Sequence, residues 1–298
     1  MLDGGRASEG LFVRARGEGA PWCVTLRHVS PRKTIPRVLS IAGSDSGGGA
    51  GIQADLKAFA ACGVHGMTAI TAITAQNTVA VEAVHTVPAG FIQAQVRAVA
   101  KDIGIDAVKT GMLGTAGTIE AIADALDELK AATPLVVDPV LVAESGAVLL
   151  DPGAHRALVE LLLPRATVAT PNVPEARALT GLEHAEPPEL ARAVFAFGPR
   201  AVVVTGGHLQ NATDVFHDGE RLVELPGERH ATRAAHGSGC THSAVLASAL
   251  AWGWEPLEAA RLAREFAARA VARGLVELGS GAGPVDILGC TGVEPALT

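Results

Sequence analysis

The sequence predicts an α/β protein built on a mainly parallel sheet with helices on both faces. Three observations carry that expectation. From Arg37 onward, short apolar or β-branched runs alternate with segments of helical period. Glycines, acids and side-chain amides gather where those runs end. The chain has 298 residues and 48% hydrophobic content, enough to bury a large core.

The elements follow in order. "RVLSIAG" is a short apolar run closed by glycine and reads as a buried strand. "AGIQADLKAFAACG" has helical spacing and stops at Gly63. "GMTAITAITAQNT" is β-branched and reads as strand; "PAGFIQAQVRAVAKDI" reads as helix and "DAVKTG" as strand. "TAGTIEAIADALDELKAA" is a helix with Thr118 as its candidate cap. "PLVVDPV" and "TVATPN" read as strands around the helix "DPGAHRALVELLLPRA". "VPEARALTG" and "PPELARAVFAFG" are short helices before the strand "RAVVVTGG". "TDVFHDGERLVELP" reads as a hairpin turning at Asp218-Gly219. Two helices, 240–252 and 256–274, end the pattern. No internal linker or repeat stands out, so residues 37–298 are read as one domain. Residues 1–36 are Gly/Arg-rich without a sustained period and read as a disordered extension.

Composition narrows function. Tyrosine is absent and aromatics are 3%, which removes tyrosine catalysis and argues against stacking platforms for single strands. A formal charge of −7 argues against general affinity for nucleic acid or anionic membranes. No apolar run of about 18 residues predicts a membrane span. Cys23, Cys62, Cys240 and Cys290 are dispersed, which suits a reducing cytoplasm better than disulfides or zinc. Asn211-Ala212-Thr213 matches a glycosylation sequon and is read as a loop.

In a parallel sheet of this type, ligands bind beyond the carboxyl ends of the strands. Asp45, Gln76, Asn77, Gly111, Met112, Asp138, Asn172, Gly206 and Gly207 fall there. "GSDSGGGAGIQADLK" could let backbone approach a ligand closely, or be a tight turn with Asp45 and Asp55 as helix-start charges. It lacks the lysine of a P-loop, and its relaxed dinucleotide pattern has no acid after the following strand. "HGSGCTHSA" places Gly237, Ser238 and Gly239 before Cys240 at a predicted helix start. That arrangement is an anion nest whose positive end lowers a thiol pKa. Cys240 is then either a base for a substrate alcohol or a packing residue. Asp138, Asn172 and Glu175 could serve a magnesium-nucleotide complex, or Asn172 and Glu175 could only cap a helix. No lysine follows Lys130, so phosphate charge over the carboxyl half would fall to metal, backbone amides or arginine.

Eight stretches in order, "IAGSDSGGGAGIQADLK", "TAQNT", "KTGML", "VVDPV", "TPNVPEA", "GGH", "HGSGCT" and "GSGAGPV", resemble the hydroxymethylpyrimidine / phosphomethylpyrimidine kinase family of the ribokinase-like superfamily, over about residues 37–288. The resemblance implies a three-layer α/β fold with a small β lid. It implies ATP and Mg²⁺, and phosphorylation of 4-amino-5-hydroxymethyl-2-methylpyrimidine and of its monophosphate. It further implies a pyrimidine site of Gly43, Asp55, Gln76 and Met112, and a catalytic Cys240 with Gly237, Ser238 and Gly239 as anion hole. Asn172, Thr205 and Gly207 would bind ATP, and Asp138 and Glu175 the metal. A homodimer with no nucleic-acid or membrane partner is expected. Thr205 stands where the family often has lysine, a departure reminiscent of pyridoxal kinases. A pyridoxal kinase and a non-catalytic pyrimidine-binding regulator are the alternatives.

Overall fold

The computed structural model describes residues 34–141, 151–207 and 212–291. The expected extension therefore lies outside the described residues as far as position 33, as does Asn211 of the sequon. Nine strands form a single sheet, β1 (Arg37–Asp45), β2 (His65–Gln76), β3 (Val81–Thr86), β4 (Ala107–Thr110), β5 (Leu135–Val137), β6 (Val168–Ala169), β7 (Val202–Val204), β8 (Asp214–His217) and β9 (Leu222–Leu225). Their order across it is β3-β2-β1-β4-β5-β6-β7-β8-β9. The pairs from β2 to β7 are parallel; β3, β8 and β9 are antiparallel to their neighbours.

The apolar runs are continuous because both faces are covered. On β1, Leu39 and Ile41 pack into one core with Ile92, Ile119 and Leu162. Val38, which precedes Leu39 and points the other way in the pleat, joins the opposite core with Phe59, Val245 and Phe266. Strand β7 divides likewise: Val202 and Val204 face the first core, Val203 the second. The first core is covered by α2 (Ala89–Asp102), α3 (Ala116–Asp127), α4 (Pro152–Ala157), α5 (Val173–Thr180) and α6 (Pro187–Phe195). The second is covered by α1 (Gly51–Ala61), α7 (Ser238–Ala251) and α8 (Pro256–Ala272). Every residue of α7 from Thr241 to Ala251 is buried. That explains its Ala/Ser-rich composition: small side chains let a helix pack closely on all sides.

Three local readings are corrected. The cap of α3 is Thr115, whose hydroxyl accepts from the Thr118 amide at 3.2 Å, so Thr118 lies one turn inside. The segment expected as one helix to Ala166 is α4 followed by a π turn (Leu158–Leu162) and a 3-10 turn (Leu163–Arg165). Strand β3, five of whose six residues are exposed, showed no buried alternation to betray it. It pairs with Ala72–Gln76 of β2, so the expected lid is an outgrowth of the main sheet.

Candidate active site

The strand ends of β1, β2, β4, β5 and β7 and the start of α7 line one cavity of about 460 Å³. Its first wall is the turn after β1. Asp45 is buried, and its carboxylate accepts the amides of Gly47, Gly49 and Ala50 at 2.8, 3.0 and 2.9 Å. His236 Nε2 lies 3.0 Å from Asp45 Oδ2 and joins this turn to the entry of α7. Burial pushes the Asp45 carboxyl up, but His236 and the Ala50 and Gly47 amides outweigh it and hold the group below its ordinary value. Gln76, at the end of β2, lies in the cavity with Nε2 3.5 Å from His236 Nε2. Met112 packs against Gly43, where any Cβ would collide with its methyl group. Glycine at position 43 is thus what admits the thioether to the wall.

The floor is a buried charge cluster. Lys109 of β4 is wholly buried, with Nζ 3.0 Å from both oxygens of Asp55 and 3.8 Å from Asp138 Oδ2. Asp55, on α1, also accepts from Ser40 Oγ at 2.5 Å. Asp138 accepts from Ser243 Oγ at 2.7 Å, on the turn of α7 after Cys240. Burial opposes the Lys109 charge, yet Asp55 and further negative neighbours raise its pKa, so it is a fixed cation.

Over this floor α7 begins. Gly237 is its N-cap, with φ 84°, and no side chain caps the helix. The left-handed backbone and the close approach of the Gly49 carbonyl both require glycine there. The Ser238 amide donates to the Ala235 carbonyl at 3.1 Å, and the Gly239 and Cys240 amides that follow are available to an anion. Cys240 is half-buried in the cavity wall. Its thiol does not titrate low, as the helix start alone suggested, but is pushed up to about 12. Burial is the main cause; Lys109 pulls the value down, and Asp55 and Asp138 push it up again. Two carboxylates against one ammonium leave a thiolate opposed.

Asn172 and Glu175 reach the cavity at the start of α5. They form a complete capping box: Asn172 Oδ1 accepts from the Glu175 amide at 2.8 Å, and Glu175 Oε2 from the Asn172 amide at 2.9 Å. Burial, then the charge of Asp138, pushes Glu175 up to about 8. Asp138 is raised too, by burial first. Two carboxylates destabilised together are a donor set that suits a hard cation, although no group of three or more ligating side chains occurs among the described residues.

The cavity thus unites Gly43, Gln76, Met112, Asp138, Asn172, Glu175, Thr205, Gly207 and the Gly237–Cys240 turn. Asp55 is the exception. It is absent from the cavity wall and acts behind it, on Lys109. Lys109 itself was missed, as was His236. Lys109 lies on an apolar strand, and only the β1-β4-β5 neighbourhood brings it under α7.

The family model for phosphomethylpyrimidine kinase matches residues 45–286. The chain belongs to the phosphomethylpyrimidine kinase family. It is a kinase, 52% identical over 254 residues to the hydroxymethylpyrimidine/phosphomethylpyrimidine kinase of Rhizobium meliloti, covering 83% of this chain and 95% of that one. To the kinase of the same description from Streptomyces coelicolor it is 46% identical, over 86% and 96%. Among solved structures, the Staphylococcus aureus pyridoxal kinase in complex with AMP-PCP and pyridoxal superposes with a TM-score of 0.78 at 34% identity, over 88% of this chain and 97% of that one. The phosphomethylpyrimidine kinase of Clostridium difficile gives 0.68 at 40% identity, over 78% and 97%. The expected ribokinase-like α/β architecture is the fold observed.

Proposed function

We propose that this kinase transfers the γ-phosphoryl group of ATP to 4-amino-5-hydroxymethyl-2-methylpyrimidine and then to its monophosphate, in thiamine diphosphate biosynthesis. The observation that carries the reading is one cavity in which an amide and a thioether, Gln76 and Met112, share walls with an uncapped helix start bearing a thiol. Gln76 both donates and accepts toward an aminopyrimidine edge, and Met112 meets the ring. The substrate hydroxyl oxygen attacks the γ-phosphorus as the bond to ADP breaks. The hydroxyl proton passes to Cys240, and the Gly239 and Cys240 amides hold the phosphoryl charge. Since the free thiol sits near 12, Cys240 serves as base only after its own proton has passed to solvent, leaving a thiolate beside Lys109. Lys109 favours that form. Asn172, Thr205 and Gly207 border the nucleotide. Asp138 and Glu175 would hold Mg²⁺, which supplies charge neutralisation for the phosphates. We further read the enzyme as a cytoplasmic homodimer, the compartment from its dispersed cysteines and the assembly from the family resemblance.

A second reading, pyridoxal phosphorylation, is favoured by Thr205 and by the superposition on pyridoxal kinases. The two are separated by ATP consumption with hydroxymethylpyrimidine, its phosphate and pyridoxal side by side. Turnover of both pyrimidines at higher kcat/KM than pyridoxal supports the first reading; the reverse order overturns it.

A further inference from the structure

Thr74 is a buried residue of the cavity wall, two places before Gln76 on β2. Alternate residues of a strand share a face, so the two side chains stand side by side. The main chain of Gln76 is pinned by Ser46. The Gln76 amide N–H donates to Ser46 Oγ at 2.8 Å, and Ser46 Oγ donates to the Gln76 carbonyl at 2.7 Å. What stays free is the direction of the side-chain amide, which has an acceptor at one end and a donor at the other.

Two neighbours settle that direction, because each has its own proton committed elsewhere. Thr74 Oγ1 lies 2.8 Å from the Ser44 carbonyl oxygen. A carbonyl only accepts, so the hydroxyl proton lies on that bond and Oγ1 is left as an acceptor. The end of the Gln76 amide 3.2 Å away must therefore donate. His236 Nε2 lies 3.0 Å from Asp45 Oδ2, which also accepts the Gly49 and Ala50 amides. Asp45 is held below its ordinary value and is an ionised acceptor, so His236 Nε2 carries a hydrogen. The end of the Gln76 amide 3.5 Å from that nitrogen must therefore accept. With Oε1 toward Thr74 and Nε2 toward His236, the direction in which the structure shows it, both contacts set like against like. Turned over, the first becomes a hydrogen bond and the second an attraction. Gly49 seats the histidine, since a Cβ there would collide with ring carbon Cδ2.

We propose that Thr74 and His236 are positioning residues that lock the Gln76 amide with its nitrogen toward Thr74 and its oxygen toward His236, and that this lock makes the site select a 4-aminopyrimidine over its 4-oxo counterpart. The inference rests on the reading of Gln76 as the residue that meets the pyrimidine. The second Nε2 hydrogen and a lone pair of Oε1 remain for the cavity. They match a bare ring nitrogen beside an amino group. In the 4-oxo ring the same two positions are an N–H and a carbonyl, and each meets its own kind. A free amide would turn over and take either ring; a locked one loses both neighbours if it turns. The lock also orders the substrate edge. His236 immediately precedes the Gly237 turn, so the amino group lies on the α7 side. The hydroxymethyl group on the next ring carbon then falls toward the turn that carries Cys240.

Two measurements on the full-length protein test this. In ligand-free protein carrying isotope-labelled glutamine, the Gln76 side-chain NH2 resonance is identified by its loss in Gln76→Leu. It should show a stronger nuclear Overhauser contact to the Thr74 side chain than to the His236 ring. The reverse ranking overturns the lock, whatever the substrate. Kinetics with 4-amino-5-hydroxymethyl-2-methylpyrimidine and the same ring bearing a 4-oxo group test the selection. The wild type should favour the amino ring by about 10²-fold or more in kcat/KM. Thr74→Val, which keeps the shape and removes the hydroxyl, should narrow that preference by about tenfold, and Thr74→Ser should restore it. A merely loosened strand would slow both rings alike and leave the ratio unmoved. An unmoved ratio in folded Thr74→Val, or a wild type indifferent between the rings, overturns the proposal. If Thr74→Val does not fold, the resonance ranking and the wild-type preference decide. Turnover of neither ring would end the pyrimidine reading, while the resonance ranking still decides the lock.

Discussion

Two glycine-rich turns face each other across the cavity, and they have opposite fates. The turn after β1 is filled by its own chain: Asp45 accepts three of its amides. The turn into α7 has no side-chain cap at all. In the sequence both read as glycine-rich turns whose backbone could meet a ligand. Only the second has amides to offer a phosphate, because the first carries its anion built in. The difference lies in one acid: "GSDSGGG" contains Asp45 within reach of the turn, whereas "HGSGC" places no acid there. A glycine-rich turn with an internal aspartate is better read as a rigid wall than as a phosphate cradle.

The largest expected effect breaks the second turn. Cys240→Ala should lower kcat by about 10²–10⁴-fold with the pyrimidine KM nearly kept, since a positioned base contributes that much and the nest is backbone. Wild-type kcat at saturating pyrimidine would return Cys240 to a packing role. The thiol also makes a pH statement. With a pKa near 12 in the free protein, its alkylation rate should climb throughout pH 7–10 without a plateau. Cys62, raised likewise by burial, and exposed Cys290 serve as controls.

Next comes the floor that the two turns share. Lys109→Met removes the only cation described between Asp55 and Asp138. Breaking a buried pair in this way costs about 3–5 kcal/mol, read as a lower urea midpoint. The double variant Asp55→Asn/Lys109→Met should recover much of that stability without recovering activity. A single variant of wild-type stability would show that the pair contributes nothing net.

A smaller effect tests the substrate side of the first turn. Gln76→Leu should raise the pyrimidine KM at near-normal ATP affinity, by the about 1–3 kcal/mol that a lost hydrogen bond leaves in a buried site. An unchanged pyrimidine KM removes Gln76 from recognition.

Much of this was legible because it is local. Period and turn chemistry give β1, α1 and the Asp218-Gly219 hairpin, and the order of the eight motifs gives the fold. The capping box of Asn172 and Glu175 was also readable, at the spacing such boxes require. What escaped depends on strand order. Nothing in "DAVKTG" separates Lys109 from a solvated lysine until β4 lies between β1 and β5. Asp55 was assigned to the ligand because its motif faces the site, but helix periodicity turns it inward, onto Lys109. The titration of Cys240 was misjudged for a related reason: the helix start is local, whereas the burial and the two carboxylates that oppose it arrive from α1 and β5.

The smallest expected effect concerns the acid within the first turn. Asp45→Asn keeps one acceptor oxygen and the turn's shape, so at neutral pH it should cost about 1 kcal/mol, near the net worth of a hydrogen bond. Its pH dependence is the sharper readout. The Asp45 carboxyl is held below its ordinary value in the folded protein. Its contribution is therefore fully present above the unfolded-state value and is lost as pH falls through the folded one. The melting temperatures of wild type and Asp45→Asn should thus differ at pH 7 and converge below about pH 4, the ordinary carboxyl range. If they stay parallel down to pH 3, the three amides do not depend on the charge of Asp45. The first turn would then hold its shape through glycine geometry alone, and the contrast with the α7 turn would rest on the missing cap rather than on a built-in anion.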